Sequence, residues 1–178
     1  MLNNQPVTLN EYILRDNQSP VSRTDTTGRI TYVNADFIEA SGFAEDELLD
    51  HNHNVVRHPS MPAAAFADMW CDLADGRSWT GMVKNRRKNG DYYWVLATAT
   101  PIREGSEIVG YMSVRRKASA QQIQAAEEAY RLFREKRQGS LQIRHGAAVK
   151  GGPGLLSGLS LKNRMTAAFA VILLAVAL

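Results

Sequence analysis

The sequence predicts an α+β domain, a five-stranded antiparallel sheet with short helices crossing one face. Three observations carry this expectation. Residues 79 to 101, WTGMVKNRRKNGDYYWVLATATP, alternate as two long strands around Lys88-Asn89-Gly90-Asp91, where Asn and Gly accept the positive φ of a tight turn. Two short strands precede a helical segment, and three strands follow it. The 178 residues suffice for one domain with a real core plus an appendage, but not for two full domains.

Taken in order, residues 1 to 19 form an N-terminal cap with a short helix over residues 9 to 14. Residues 20 to 24 and 29 to 33 pair as a hairpin through the turn Asp25-Thr26-Thr27-Gly28. Asn34 caps a helix carrying Phe37, Ile38 and Ser41, which Gly42 ends. The acidic start of residues 44 to 49 suits a second short helix. Residues 52 to 62 hold too many turn formers and prolines for a regular element. Residues 61 to 74 are amphipathic, with Phe66, Met69, Trp70 and Leu73 on one stripe, and Gly76 stops them.

On the long hairpin, Trp79, Gly81, Val83 and Asn85 share one face, as do Tyr93, Val95, Ala97 and Ala99. Small residues, one amide and a Tyr there suggest a concave surface that holds something flat. The last strand covers residues 107 to 116, with Val109, Tyr111, Ser113 and Arg115 on one face. Ser119 opens a helix in which Ile123, Ala126, Tyr130 and Phe133 have coiled-coil-like spacing. The expected organisation is thus a cap (1–19), a sensor-sized domain (20–117), a helix (118–138), a basic Gly-rich linker (139–164) and an apolar end (165–178).

The net charge of +3 is unevenly spread: residues 115 to 164 hold eleven Lys and Arg against three Glu, which suits nucleic acid or an anionic membrane surface. Cys71 alone excludes an internal disulfide and a Cys-based zinc site. No secretory signal opens the sequence. Residues 165 to 178, MTAAFAVILLAVAL, are uncharged and shorter than the ~20 residues of a membrane span. They are read as the start of a transmembrane helix, with the basic residues before them placing the domain on the cytoplasmic side; a terminal core helix is the alternative.

The segments ITYVNADFIEASGF, HNVVRHPSMPAAAFADMW, VKNRRKNGDYYWV and GYMSVR resemble PAS domains, and among them the sensing domains of the bacterial aerotaxis-receptor family. The run Val56-Arg57-His58-Pro59 with Met61-Pro62 and Phe66-Ala67-Asp68-Met69-Trp70 is its most specific part; Ser60 departs from it, where the resemblance leads one to expect Asp. The resemblance implies a PAS fold, non-covalent FAD, and redox or oxygen sensing rather than enzymatic catalysis. It also implies a homodimer anchored in the bacterial inner membrane, which signals to a downstream HAMP and chemotaxis module.

A flavin needs flat apolar walls, amide partners for its pyrimidine edge and cations or backbone donors for its phosphates. Asn85 offers both donor and acceptor to such an edge, or else stabilises a strand end. Arg57 and His58 are candidates for the pyrophosphate or adenine. Trp70 is by position a core residue that the resemblance brings toward the cofactor. Asn34 is a cap first and a ligand contact second, and Tyr93 is a pocket candidate through its strand face. Arg115 would favour added negative charge on the ring, or lie in water at a strand end.

His51, His53 and His58 lack a thiol or carboxylate at metal-site spacing and are read as loop residues. In the light-sensing flavin domains a Cys forms a photochemical adduct; here the corresponding loop is Asn54-Val55-Val56-Arg57, with Val in its place. The basic hairpin tip, Lys84, Arg86, Arg87 and Lys88, lacks an aromatic platform, so nucleic acid is not expected. Two other readings stand beside the FAD sensor: a cofactor-free PAS dimerisation module tethered to a membrane, and a haem or small-ligand sensor with His58 as the first axial candidate.

Overall fold

A computed structural model of the chain describes residues 4–151. Its centre is a five-stranded antiparallel sheet in the order β2-β1-β5-β4-β3, built from β1 (Val21–Thr24), β2 (Ile30–Val33), β3 (Trp79–Arg86), β4 (Tyr92–Glu104) and β5 (Glu107–Lys117). The long hairpin pairs Trp79 with Ala99, Gly81 with Ala97, Val83 with Val95 and Asn85 with Tyr93. All eight therefore share the expected face, because side chains alternate along paired strands.

Helix α1 (Ala35–Ser41) begins where Asn34 Oδ1 accepts from the Phe37 amide at 3.0 Å, and ends at Gly42 in the left-handed region. Helix α2 (Ala63–Ala74) crosses the inner face of the sheet. Between them, residues 44 to 49 hold only a 3₁₀ turn (Glu45–Glu47), shorter than the helix expected, and a second turn (His53–Val56) lies in the loop expected to be irregular. Ile30, Val33, Phe37, Leu48 and Val56 bury one core cluster beneath this segment.

Helix α3 (Ala120–Arg134) starts at the Ser119 capping box and lies against the outer face. Tyr130 stacks on Trp94 at 6.2 Å and donates from its hydroxyl to the Met82 carbonyl at 2.7 Å.

Two further regions differ from expectation. The helix expected over residues 9 to 14 is an extended arm, because its backbone groups are taken by the end of β4. Tyr12 N donates to Tyr92 O at 2.7 Å, and Tyr92 N to Asn10 O at 3.0 Å. Gly90 serves both turn and arm: its φ is +98°, and a Cβ there would meet the Pro6 carbonyl. Within the expected linker, β6 (Leu141–Arg144) and β7 (Ala147–Lys150) form a second, two-stranded sheet. Buried Ile143 anchors it to the main core.

Among the described residues no helix is long and apolar enough to cross a membrane; the segment read as the start of one, residues 165 to 178, lies outside them.

Candidate ligand pocket

The concave inner face of the sheet and α2 enclose a cavity of about 780 Å³ of atom-free space, its open mouth included. α2 supplies Phe66, Met69, Trp70 and Leu73, and the sheet supplies Trp79, Val83, Ala97 and Ala99. The alanines leave the floor open where larger residues would fill it. At the mouth Trp70, 39% exposed, meets Tyr111 edge to face at 5.4 Å.

The polar groups gather at one side. Arg115 on β5 is 4% exposed and donates to Ser22 Oγ at 3.1 Å, to the Ser113 carbonyl at 3.1 Å and to His53 Nε2 at 2.8 Å. Since guanidinium cannot accept, Nε2 must, which puts the His53 proton on Nδ1. Burial lowers the Arg115 pKa to about 10, so it stays charged near neutrality. Burial, and then the Arg115 and Arg57 charges, push His53 down to about 3, so it stays neutral.

Arg57 lies 3.6 Å above the Phe66 ring, a cation–π contact, and its Nε has no hydrogen-bond partner. Neither Arg57 nor Arg115 makes an ion pair with a carboxylate among the described residues. Asn85 is 3% exposed and lines the cavity with Nδ2 unpartnered. Buried polar atoms are normally paired, so these orphans mark where a partner is wanted.

Four of the seven candidates thus line the cavity: Arg57, Trp70, Asn85 and Arg115. The other three do not. Asn34 is consumed as a cap: besides Phe37 N, its Oδ1 accepts from Val21 N at 2.8 Å, and its Nδ2 donates to Ser19 O at 2.9 Å. His58 turns away, with Nδ1 held by the Ser60 hydroxyl at 2.7 Å and its ring 6.0 Å from Tyr92. Tyr93 is fully buried beside Asn85, its hydroxyl without a well-formed hydrogen bond and pushed up to about 12 by burial.

Sequence reasoning missed His53 and Ser22. Ser22 faces inward by strand alternation and was within reach, whereas His53 sits in an irregular loop with no period to orient it. Among the described residues no cluster of His, Cys, Asp or Glu has metal-site geometry.

The chain matches the PAS fold family over residues 30–115, inside the 20–117 expected. It is 46% identical over 152 residues to the aerotaxis receptor of Escherichia coli K12, which covers 85% of this chain but 30% of that protein. It is 28% identical over 100 residues to the nitrogen fixation regulatory protein of Klebsiella pneumoniae, covering 56% of this chain and 20% of that protein. The chain therefore spans less than a third of either relative.

Among solved structures it resembles the light state of the Aureochrome1 LOV photoreceptor, with a TM-score of 0.54 at 22% identity over 68% of this chain and 92% of that one. A light-oxygen-voltage domain from a flavin-analogue study gives 0.56 at 23% identity over 67% and 89%. These two likenesses concern the fold. Residues 30–115 are a PAS domain, and it is similar to the matching part of an aerotaxis receptor.

Proposed function

We propose that the chain is the sensing part of a redox or oxygen receptor whose PAS pocket binds FAD. One observation carries this: an apolar cavity with a small-residue floor is flanked by two guanidiniums without carboxylate partners and by an amide whose Nδ2 is orphaned. Those groups fit a flat, anionic, amide-edged ligand, and a flavin dinucleotide has all three properties. The cavity lies in a chain similar to a protein named for aerotaxis, which supports the sensing role.

When bound, a flavin supplies reversible uptake of electrons. Asn85 would pair with the pyrimidine edge, and Trp70 and Phe66 would wall the ring system. Arg57 would neutralise phosphate or stack beside the adenine. Arg115, kept charged and held by Ser22 and His53, would lie where added negative charge on the ligand is stabilised. A sensor needs an element that responds differently to the two redox states; Arg115 stands near the end of β5, and α3 follows it closely in the chain. In this reading the protein is a non-enzymatic, membrane-anchored homodimer with its PAS domain cytoplasmic, signalling to a HAMP and chemotaxis module. A haem reading lacks support, since His58 is engaged by Ser60 and His53 by Arg115.

The test is the visible spectrum of the purified chain before and after dithionite, beside Asn85→Ser and Arg57→Ala variants. Bound, releasable FAD that bleaches on reduction and is lost in both variants upholds the proposal. A folded, colourless protein that takes up no added FAD overturns it and favours the cofactor-free dimerisation module.

A further inference from the structure

The β6–β7 hairpin docks on the back of the pocket through two carboxylates of α2, one of which also reaches the cavity wall. Asp68, on α2, accepts from the Trp79 indole Nε1 at 2.7 Å and from the backbone amides of His145 and Gly146 at 2.9 and 2.8 Å. Trp79 is a wall of the cavity. A single carboxylate therefore ties the cavity wall to the tip of the hairpin. Two successive left-handed residues, His145 at φ 51° and Gly146 at φ 79°, aim both amides at it, an anion-binding nest.

Around this bond the fit is close. A Cβ on Gly146 would overlap the Thr80 carbonyl on the edge strand β3, so only glycine allows the approach. One turn further along α2, Asp72 is buried and receives His145 Nδ1 at 2.9 Å and the Arg77 guanidinium at 2.7 Å. α2 thus presents Phe66, Met69, Trp70 and Leu73 to the cavity and Asp68 and Asp72 to the hairpin. A shift of α2 or Trp79 cannot leave the hairpin's bonds unchanged.

We infer that Asp68 clasps the Trp79 wall of the cavity to the β6–β7 hairpin, making this hairpin a route by which a change in the cavity leaves the domain. The residues after it lead on toward Lys162, Arg164 and the apolar stretch beyond. Coupling of this kind is reciprocal: loosening the wall loosens the hairpin, and undocking the hairpin weakens whatever the wall holds. Asp68 is a positioning residue here, without contact to a ligand.

The first arm of the test needs no ligand, and so does not rest on the FAD proposal. Hydrogen exchange is measured on the whole purified chain as wild type, Trp79→Phe and Asp68→Asn. The His145 and Gly146 amides are expected to exchange at least threefold faster in both variants, with the central amides of α3 unchanged. Equal exchange at the hairpin in all three proteins, or acceleration spread evenly over α3 as well, overturns the inference.

The second arm uses FAD as the probe and a Gly146→Val chain, which alters no cavity-lining residue. A dissociation constant raised at least threefold supports the reciprocal half of the coupling, and an unchanged one refutes it. If FAD does not bind to the wild type while the first arm succeeds, the proposed cofactor fails and the clasp stands.

Discussion

Arg57 and Arg86 are both cations held largely out of water, and neither has a carboxylate partner among the described residues. Burial depresses the pKa of each. Their surroundings differ. Arg86 is capped by three carbonyls, those of Pro6 at 2.8 Å, Gln5 at 3.0 Å and Lys88 at 3.3 Å, which fasten the N-terminal arm to the hairpin. Arg57 has an aromatic ring beneath it and a cavity beside it. A satisfied buried cation holds structure, whereas an unsatisfied one marks a place for a ligand, because desolvation is tolerated only where it is offset.

The largest expected effect tests the structural member of this pair. Arg86→Ala removes charge-assisted hydrogen bonds to the arm and is expected to cost about 2–3 kcal/mol of unfolding free energy in urea titrations. It should leave any bound flavin spectrum unchanged; loss of flavin in parallel with stability would break the distinction between the two arginines.

Next comes acid. Folded His53 and His58 titrate at about 3 and about 4, the second chiefly through burial and then the Lys84 charge, while the unfolded chain takes up these protons near 6.5. Between those values the unfolded state binds more protons, so stability rises with pH and is lost as pH falls from 6.5 toward 4. Arg115 and Arg57 face His53 and oppose its protonation.

The expected loss from pH 7 to 4.5 is about 2 kcal/mol, less than the full shifts would give at ~1.4 kcal/mol per pKa unit, since water in the cavity mouth screens His53. Carboxylates held low by hydrogen bonds, such as Asp25 and Asp91, add their loss only at lower pH. Urea midpoints against pH should show this slope, shallower in His53→Gln. A profile flat to pH 5 would mean that His53 protonates in place.

Asn34→Ala should cost about 1 kcal/mol, the usual worth of an N-cap, with FAD affinity unaltered. A fall in affinity beyond tenfold would return Asn34 to the site. The smallest effect completes the comparison: Arg57→Ala should cost less than about 1 kcal/mol of ligand-free stability, because only the cation–π contact with Phe66 is lost and no well-formed hydrogen bond. A destabilisation as large as that of Arg86→Ala would make Arg57 structural too.

Regular elements carried their own instructions. Alternation along 79–101 and 107–116 set Asn85, Tyr93 and Arg115 facing inward, and the helical stripe of α2 aimed Trp70 and Phe66 at the same space. Asn34, Gly42 and Ser119 announced their helix ends through side-chain chemistry that acts over three or four residues. Where no period exists, the sequence was silent: in the loop from Asn52 to Ser60 nothing local distinguishes His53, which faces Arg115, from His58, which turns to Ser60.

The extended arm and the second hairpin likewise depended on distant partners. Residues 9–14 have helical spacing of apolar groups, yet Leu9 and Ile13 stay exposed while the backbone bonds to Tyr92. Residues 141–150 look like linker until Asp68 and the Thr80 backbone give them somewhere to dock. Strand faces, caps and the PAS resemblance were therefore determined by the sequence itself, because periodicity and capping act within a few residues. Which polar groups meet in the cavity, and what the C-terminal hairpin grips, was decided only by tertiary structure, because each depends on contacts between residues 62 to 93 positions apart.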